Sequence, residues 1–179
     1  MTRVHLLLGP VGAGKSTLAR TLGRQHRALS LTLDEWMTVL FRDDRPASDL
    51  MPWYAERAQR CVEQIWRVTR AALAVDIDVI LELGLVARRA RADFYARLDA
   101  AGIDAVLHVL DAPREVRRQR VAQRNRQRGP TYAMTVPPAI FELASDLWEP
   151  ILPEECAGRD VHFIDTADRE PTPERSDAG

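Results

Sequence analysis

The apolar residues of this chain fall into two patterns that alternate from one end to the other. Val4–Leu8, Val79–Leu83 and Ala105–Leu110 are short, nearly continuous apolar runs, the form taken by strands buried on both faces. Ala28–Leu33 and Val161–Ile164 are two further strand candidates. Between these runs the apolar positions recur every three or four residues. The longest such stretch is Trp53–Ala74, with Tyr54, Ala58, Cys61, Ile65, Val68 and Ala72 or Leu73 near helical spacing. Ser16–Leu22, Asp34–Phe41, Arg88–Ala101, Pro113–Arg126 and Ala139–Leu147 read as further helices. Gly102 closes one of them and Pro113 starts another. Arg42–Pro52 and Gly129–Pro138 have loop composition.

This alternation predicts an α/β domain over residues 1–165, a five-stranded parallel sheet with helices on both faces. Ligands of such sheets bind at the carboxyl ends of the strands. Residues 166–179 are polar and carry Pro171 and Pro173, so a disordered tail is expected there.

One loop sharpens the picture. The first strand runs into Gly9-Pro10-Val11-Gly12-Ala13-Gly14-Lys15-Ser16-Thr17, a full G-x-x-x-x-G-K-[ST] motif that then enters a helix. Strand, glycine loop and helix N-terminus are the context this phosphate-binding motif requires. Gly9, Gly12 and Gly14 let the backbone close around phosphates, together with Ala13 and Thr17. The helix N-terminus adds partial positive charge. Lys15 is placed to reach β- and γ-phosphates, and the Ser16 hydroxyl to ligate Mg²⁺. Lys15 is also the one lysine in a chain whose other 24 basic residues are arginine. A compact ammonium follows a moving phosphoryl group where a planar guanidinium is too wide. A dinucleotide fold is excluded by spacing, because Thr17 stands where its third glycine belongs. A nucleoside triphosphate with Mg²⁺ is the expected ligand.

Three other features fall at or near the expected crevice. Asp34 follows the second strand and reads as a general base or a Mg²⁺ contact, the alternative being a plain helix N-cap. Glu82, an acid at the end of an apolar strand, reads as a contact to the Mg²⁺ water shell or an acceptor-site carboxylate. The alternative is an ion pair with Arg88, Arg89 or Arg91. Arg114, Arg117, Arg118, Arg120, Arg124, Arg126 and Arg128 crowd one helix and the loop after it. They suggest an arginine-rich lid over about residues 114–137, with Arg120 and Arg124 as the two that reach transferring phosphates. A nucleic-acid groove is the rival reading of the same charge. Trp36, Met37, Phe41, Trp53 and Tyr54 flank the loop after Asp34 and are candidates for an acceptor pocket. Trp148-Glu149-Pro150 reads as a packing corner or a lid hinge.

Composition narrows the class. The net charge of −1 argues against a general nucleic-acid coat. Cys61 and Cys156 lack metal-ligand spacing, and Cys61 reads as a core residue. No apolar run approaches a membrane span and no leader pattern precedes the first strand, so a cytoplasmic protein is expected. A GTPase switch is set aside, because its Asn-Lys-x-Asp motif needs a second lysine.

Together these residues resemble a family. The Gly9–Thr17 loop, Asp34, the Asp111-Ala112-Pro113 helix start with Arg120 and Arg124, and Phe141 with Trp148-Glu149-Pro150 are similar to P-loop kinases. The type is that of the zeta toxins, chloramphenicol phosphotransferases and polynucleotide kinases, often labelled AAA-type ATP-binding proteins. Ile151 departs from the Pro-Pro continuation common in related chains. The resemblance implies a P-loop NTPase fold and transfer of the ATP γ-phosphoryl group to a hydroxyl. Lys15 and Ser16 would contact phosphate and Mg²⁺, Asp34 would be the base, and Arg120 and Arg124 the lid arginines. A ring-forming motor is not expected. The acceptor reads first as a small molecule; a nucleic-acid 5′-hydroxyl, or no acceptor in a slow ATPase switch, are the alternatives.

Overall fold

The computed structural model describes residues 2–46, 48–129 and 132–168. Five strands form one all-parallel sheet: β1 (Val4–Leu8), β2 (Leu29–Thr32), β3 (Val79–Glu82), β4 (Ala105–Asp111) and β5 (Asp160–Asp165). Their order across the sheet is β2-β3-β1-β4-β5. The fold is the expected α/β P-loop NTPase architecture. The apolar run of β1 places it at the centre, with every residue from Val4 to Leu8 buried. Its neighbours β3 and β4 are the other two continuous runs, and the weaker candidates β2 and β5 form the edges.

Among the described residues seven helices link these strands: α1 (Lys15–His26), α2 (Leu33–Phe41), α3 (Leu50–Leu73), α4 (Arg88–Ala100), α5 (Arg114–Gln127), α6 (Pro138–Asp146) and the short α7 (Pro153–Cys156). Period-two alternation in the strands sends side chains to two cores. Leu6, Leu81 and Leu107 meet Cys61, Ile65, Trp66, Phe94 and Leu98 of α3 and α4 on one face. Leu7 and Ile80 meet Ala19 and Leu22 of α1 on the other. Cys61 is a buried core residue, as expected. Within the stretch read as loop, α3 begins at Leu50 and takes Pro52 into its first turn, where a missing N–H costs nothing.

A buried arginine holds the loop between β3 and α4. Arg91 is fully buried and makes a two-pronged pair with Glu155, Nε to Oε2 at 2.7 Å and Nη2 to Oε1 at 3.0 Å. It also donates to the Val86 carbonyl and lies over the Trp148 ring. The Glu149 N–H donates to Val86, and its carboxylate accepts the Arg88 N–H. Trp148-Glu149-Pro150 is therefore a packing corner.

The domain boundary lies beyond residue 165. Thr166, assigned from sequence to the polar tail, is buried at 3% exposure. Its N–H donates to Asp111, continuing the β4–β5 ladder. Its hydroxyl lies 3.0 Å from both the Ala13 and Asp111 carbonyls and accepts from Arg120. A hydroxyl so placed is worth more than its position near the chain end suggests. The rest of the expected tail, residues 169–179, lies outside the described residues.

Thr166→Val keeps the shape and removes these bonds, leaving buried partners unpaired. It should cost about 2 kcal/mol and lower the melting temperature by roughly 4–8 °C. An unchanged thermal midpoint would show that this contact contributes nothing.

Candidate functional site

The glycine loop follows the central strand and turns into α1, with Gly14 at the N-cap. Gly14 has φ +94°, a conformation that other residues rarely adopt. At Gly12 the constraint is space: a Cβ there would sit 2.7 Å from the Arg117 carbonyl. The close approach that matters at Gly12 is thus to α5. Lys15 curls back over the loop, and its ammonium donates to the carbonyls of Gly9 and Pro10, each at 3.0 Å. Burial lowers the Lys15 pKa, and the nearby charges of Glu82 and Asp34 oppose that shift.

The sheet order explains which acids join this lysine. β2, β3 and β1 are adjacent, so their carboxyl ends present Asp34, Glu82 and the glycine loop side by side. Glu82 accepts a hydrogen bond from the Ser16 hydroxyl at 2.9 Å. Burial raises its pKa, and Lys15 and the Ser16 bond pull the other way. Among the described residues Glu82 makes no ion pair with Arg88, Arg89 or Arg91; Arg88 and Arg91 both pair with Glu155. Asp34 is the second residue of α2, not its cap. That position belongs to Thr32. The Asp34 carboxylate is exposed and has no hydrogen bond or ion pair among the described residues. Its charge is felt by Lys15, by Glu82 and by Tyr54, whose hydroxyl is pushed up to about 12, first by burial and then by Asp34.

The arginines of α5 divide by direction. Arg114 is bound to Glu142 and Asp146 on α6, and Arg118 to Glu142 and to Glu115. The acidic partners of these arginines are Glu142 and Asp146 on α6 and Glu115 on α5 itself. Arg117 is buried, stacks on Phe141, and donates to the carbonyls of Ala112 and of Val11 in the glycine loop, each at 3.0 Å. Sequence reasoning left this residue open. The signal lay in Val121, the buried apolar residue of α5, which marks its inward face; Arg117 and Arg124 lie one turn to either side of it. Arg120, expected over the phosphates, is instead engaged with the Thr166 hydroxyl and carbonyl. Arg124 does point toward the crevice. Its charge acts on both Lys15 and Glu82, and its Nε is buried without a partner among the described residues.

The expected lid over residues 114–137 therefore resolves into an anchored helix and a short loop. Asn125 pins that loop from both sides of its amide, donating to the Val136 carbonyl and accepting the Val136 N–H. Pro130 and Thr131 lie outside the described residues. On the far side of Asp34, Met37 is core, whereas Trp36, Phe41, Trp53 and Tyr54 are only partly buried. Arg57 lies over the Trp53 ring at 4.6 Å and near Phe41.

The donors around Ser16 are all oxygen: its hydroxyl and the Glu82 and Asp34 carboxylates. That set suits Mg²⁺, which takes hard oxygen ligands and keeps several waters. A carboxylate that burial pushes toward its neutral form gains most from a cation beside it. No helix among the described residues is long and apolar enough to cross a membrane.

A comparison with curated protein sequences gives no match. Solved structures do match. A protein of Chloroflexus aurantiacus J-10-fl described as a candidate kinase superposes with a TM-score of 0.70 at 20% identity, over 93% of this chain and 86% of its own. Kti12 of Chaetomium thermophilum, in complex with ADP-AlF3, gives 0.67 at 15% identity over 93% and 91%. The APS kinase CysC of Mycobacterium tuberculosis, in complex with AMPPNP and APS, gives 0.61 at 18% over 94% and 90%. At these identities the likeness is one of fold. The AAA domain model, AAA_33, matches residues 4–149, and with most of its length inside that match the chain belongs to this AAA domain family, with a P-loop kinase-like fold.

Proposed function

We propose that this protein transfers the γ-phosphoryl group of ATP to a hydroxyl of a small molecule. The observation that carries the reading is the convergence of Lys15, the Ser16–Glu82 pair and the unbonded Asp34 carboxylate at three adjacent strand ends. The glycine loop and the α1 N-terminus would hold the triphosphate. Lys15 would leave the Gly9 and Pro10 carbonyls for the β- and γ-phosphates. Arg124 and Arg117, whose charges already reach Lys15, would face the same anion. Ser16, Glu82 and Asp34 would hold Mg²⁺, directly or through water, and Mg²⁺ would offset negative charge on the phosphate oxygens.

The reaction then needs a base for the acceptor. The acceptor oxygen bonds to the γ-phosphorus, the bond to the β,γ-bridging oxygen breaks, ADP leaves, and the hydroxyl proton passes to Asp34. Trp36, Phe41, Trp53 and Tyr54 would border the acceptor. Arg57, half-buried and stacked among them, adds a cation to that wall. An acceptor with an apolar face and an anionic or polar group matches such a wall.

A nucleic-acid acceptor is less well supported. Its backbone track would need open arginines, and Arg114 and Arg118 are paired with α6 acids. A screen of hydroxyl compounds with γ-labelled ATP tests the proposal. Label appearing in a small acceptor supports it. Label only in a polynucleotide 5′ end, or slow hydrolysis that no acceptor stimulates, would replace it.

Substitutions at three positions test the roles. Lys15→Arg should fail nearly as badly as Lys15→Ala while both remain folded, because the fork cannot sit within the loop; substantial activity in Lys15→Arg would remove the argument from lysine. Asp34→Asn should lower turnover about 10²- to 10⁴-fold with ATP affinity and melting temperature nearly unchanged. Wild-type turnover in that variant would take Asp34 off the reaction path. Glu82→Gln keeps an oxygen for Ser16 but loses the charge. The Mg²⁺ concentration needed for half-maximal nucleotide binding should rise about 10-fold or more. An unshifted Mg²⁺ titration would make Glu82 a structural acceptor only.

A further inference from the structure

All four histidines of this chain lie in one row on the α1-side face of the sheet, away from the glycine loop. His26, at the C-terminal end of α1, is 4.9 Å between ring centroids from His5 of β1. His5 is 5.3 Å from His108 of β4, which is 5.5 Å from His162 of β5. Strand register produces the row: His5 and Leu7 share a face, Leu7 pairs with His108, and His108 pairs with His162. A sheet interior is a costly place for imidazoles, and apolar residues at these positions would serve packing better.

The first histidine of the row is the informative one. His5 is 5% exposed. Its Nδ1 lies 3.1 Å from His108 Nε2. Its Nε2 is buried and has no hydrogen-bond partner among the described residues. Around it, one ligand atom each from His5, His26 and Asp78 lie within 4.8 Å of one another. Asp78 closes the loop before β3 and uses Oδ1 to accept the Arg3 N–H at 2.8 Å, leaving its second oxygen. A shallow cavity of about 520 Å³ opens beside His26 and Asp78, bordered also by Thr2, Arg27, Asp76 and Ile77.

We propose that His5, His26 and Asp78 form a site for a divalent transition metal of the zinc type, at the amino-terminal edge of the sheet and separate from the phosphate site. Two imidazoles and one carboxylate are a donor set that Zn²⁺ takes, with the fourth position left to water from the cavity. The buried Nε2 of His5 acquires a partner it otherwise lacks. With that nitrogen on the metal, Nδ1 carries the hydrogen and donates to His108 Nε2. Ligating histidines characteristically have such an outer contact, which fixes the tautomer and the ring orientation. Burial lowers the pKa of His5 and brings that of His108 down to about 4, in the direction that favours an uncharged ring. The geometry needs only a small closure. Tetrahedral ligands on bonds of about 2.1 Å stand roughly 3.4 Å apart, and His26, on the surface, and the half-buried Asp78 can move in.

Position assigns the consequence. The three ligands come from β1, from the end of α1 and from the turn entering β3, so the metal would clamp three segments that meet at this edge. From His5 to the start of the glycine loop is four residues of strand, about 13 Å. The site thus shares β1 with the phosphate loop but none of its residues, and it does not depend on the proposed phosphoryl transfer.

The test uses the untagged full chain, stripped with a chelator and dialysed against Zn²⁺ with Mg²⁺ in excess, with Co²⁺ as the spectroscopic probe. One equivalent of Zn²⁺ is expected, with a tetrahedral Co²⁺ absorption, a raised melting temperature, and both unchanged in Cys156→Ser and His162→Ala. Binding should weaken more than about 10-fold in His26→Ala and in Asp78→Asn, which keeps the acceptor for Arg3. Melting in chelator reports whether each variant is folded, and a folded Asp78→Asn carries the test alone. Failure of the wild-type chain to take up Zn²⁺, or undiminished binding in either folded variant, overturns the site.

Discussion

A loop that is to offer its N–H groups to a ligand must have its carbonyls satisfied by something else, because buried backbone oxygens left unpaired are costly. Most of this structure can be understood as the solution to that requirement. Lys15 covers the carbonyls of Gly9 and Pro10, and the Ala13 N–H also reaches Pro10. Arg117 of α5 takes Val11. Thr166, after β5, takes Ala13. The Leu18 N–H of α1 takes Gly14. Three parts of the chain, α1, α5 and the residue after β5, are thereby tied to one loop. The sheet supplies the geometry and these side chains supply the rigidity.

The same constraint sorts the arginines. A guanidinium has five donors in a fixed plane, so it is suited to gathering several oxygens at once. Arg117 gathers two carbonyls and the Ser145 hydroxyl, and Arg91 a carboxylate and a carbonyl. Both are buried, and both stabilise irregular backbone beside the crevice. Arg114 and Arg118 bind α6 to α5 through exposed pairs, each worth little alone. Arg120 is bonded to Thr166, which in turn donates to Ala13 of the glycine loop. Arg124 has one nitrogen buried without a partner among the described residues, and its charge acts on both Lys15 and Glu82.

What was legible in the sequence follows from range. Val4–Leu8, Val79–Glu82 and Ala105–Asp111 announce themselves because burial on both faces leaves no polar position, and the glycine loop because its function needs local spacing. Asp34 and Glu82 were found because strand ends in a parallel sheet share one edge. The pairs that hold the site were not legible. Thr166 meets Ala13 across 153 positions, Arg91 meets Glu155 across 64, and Arg117 meets Val11 across 106. Nothing in the local pattern distinguishes Thr166 from the polar residues after it, and nothing in an arginine-rich helix tells a buried arginine from a solvated one except the single inward valine. The row of histidines was equally hidden, because it exists only in the strand register.

The electrostatics of the crevice close the argument. Burial drives Lys15 and Glu82 in opposite directions, the lysine toward losing its proton and the acid toward gaining one. Each is partly held in its charged form by the other, and Asp34 helps the lysine while it opposes the acid. Such a pair is poorly solvated as it stands, and mutual attraction rarely repays the full cost of leaving water. A phosphate beside Lys15 and a divalent cation beside Ser16 and Glu82 would return both groups to full charge together, the anion favouring the ammonium and the cation the carboxylate. Neither ligand alone achieves this: an anion without a cation adds negative charge next to Glu82, and a cation without an anion adds positive charge next to Lys15. The charge pattern of the crevice therefore supports the Mg²⁺–ATP complex proposed above rather than either of its parts.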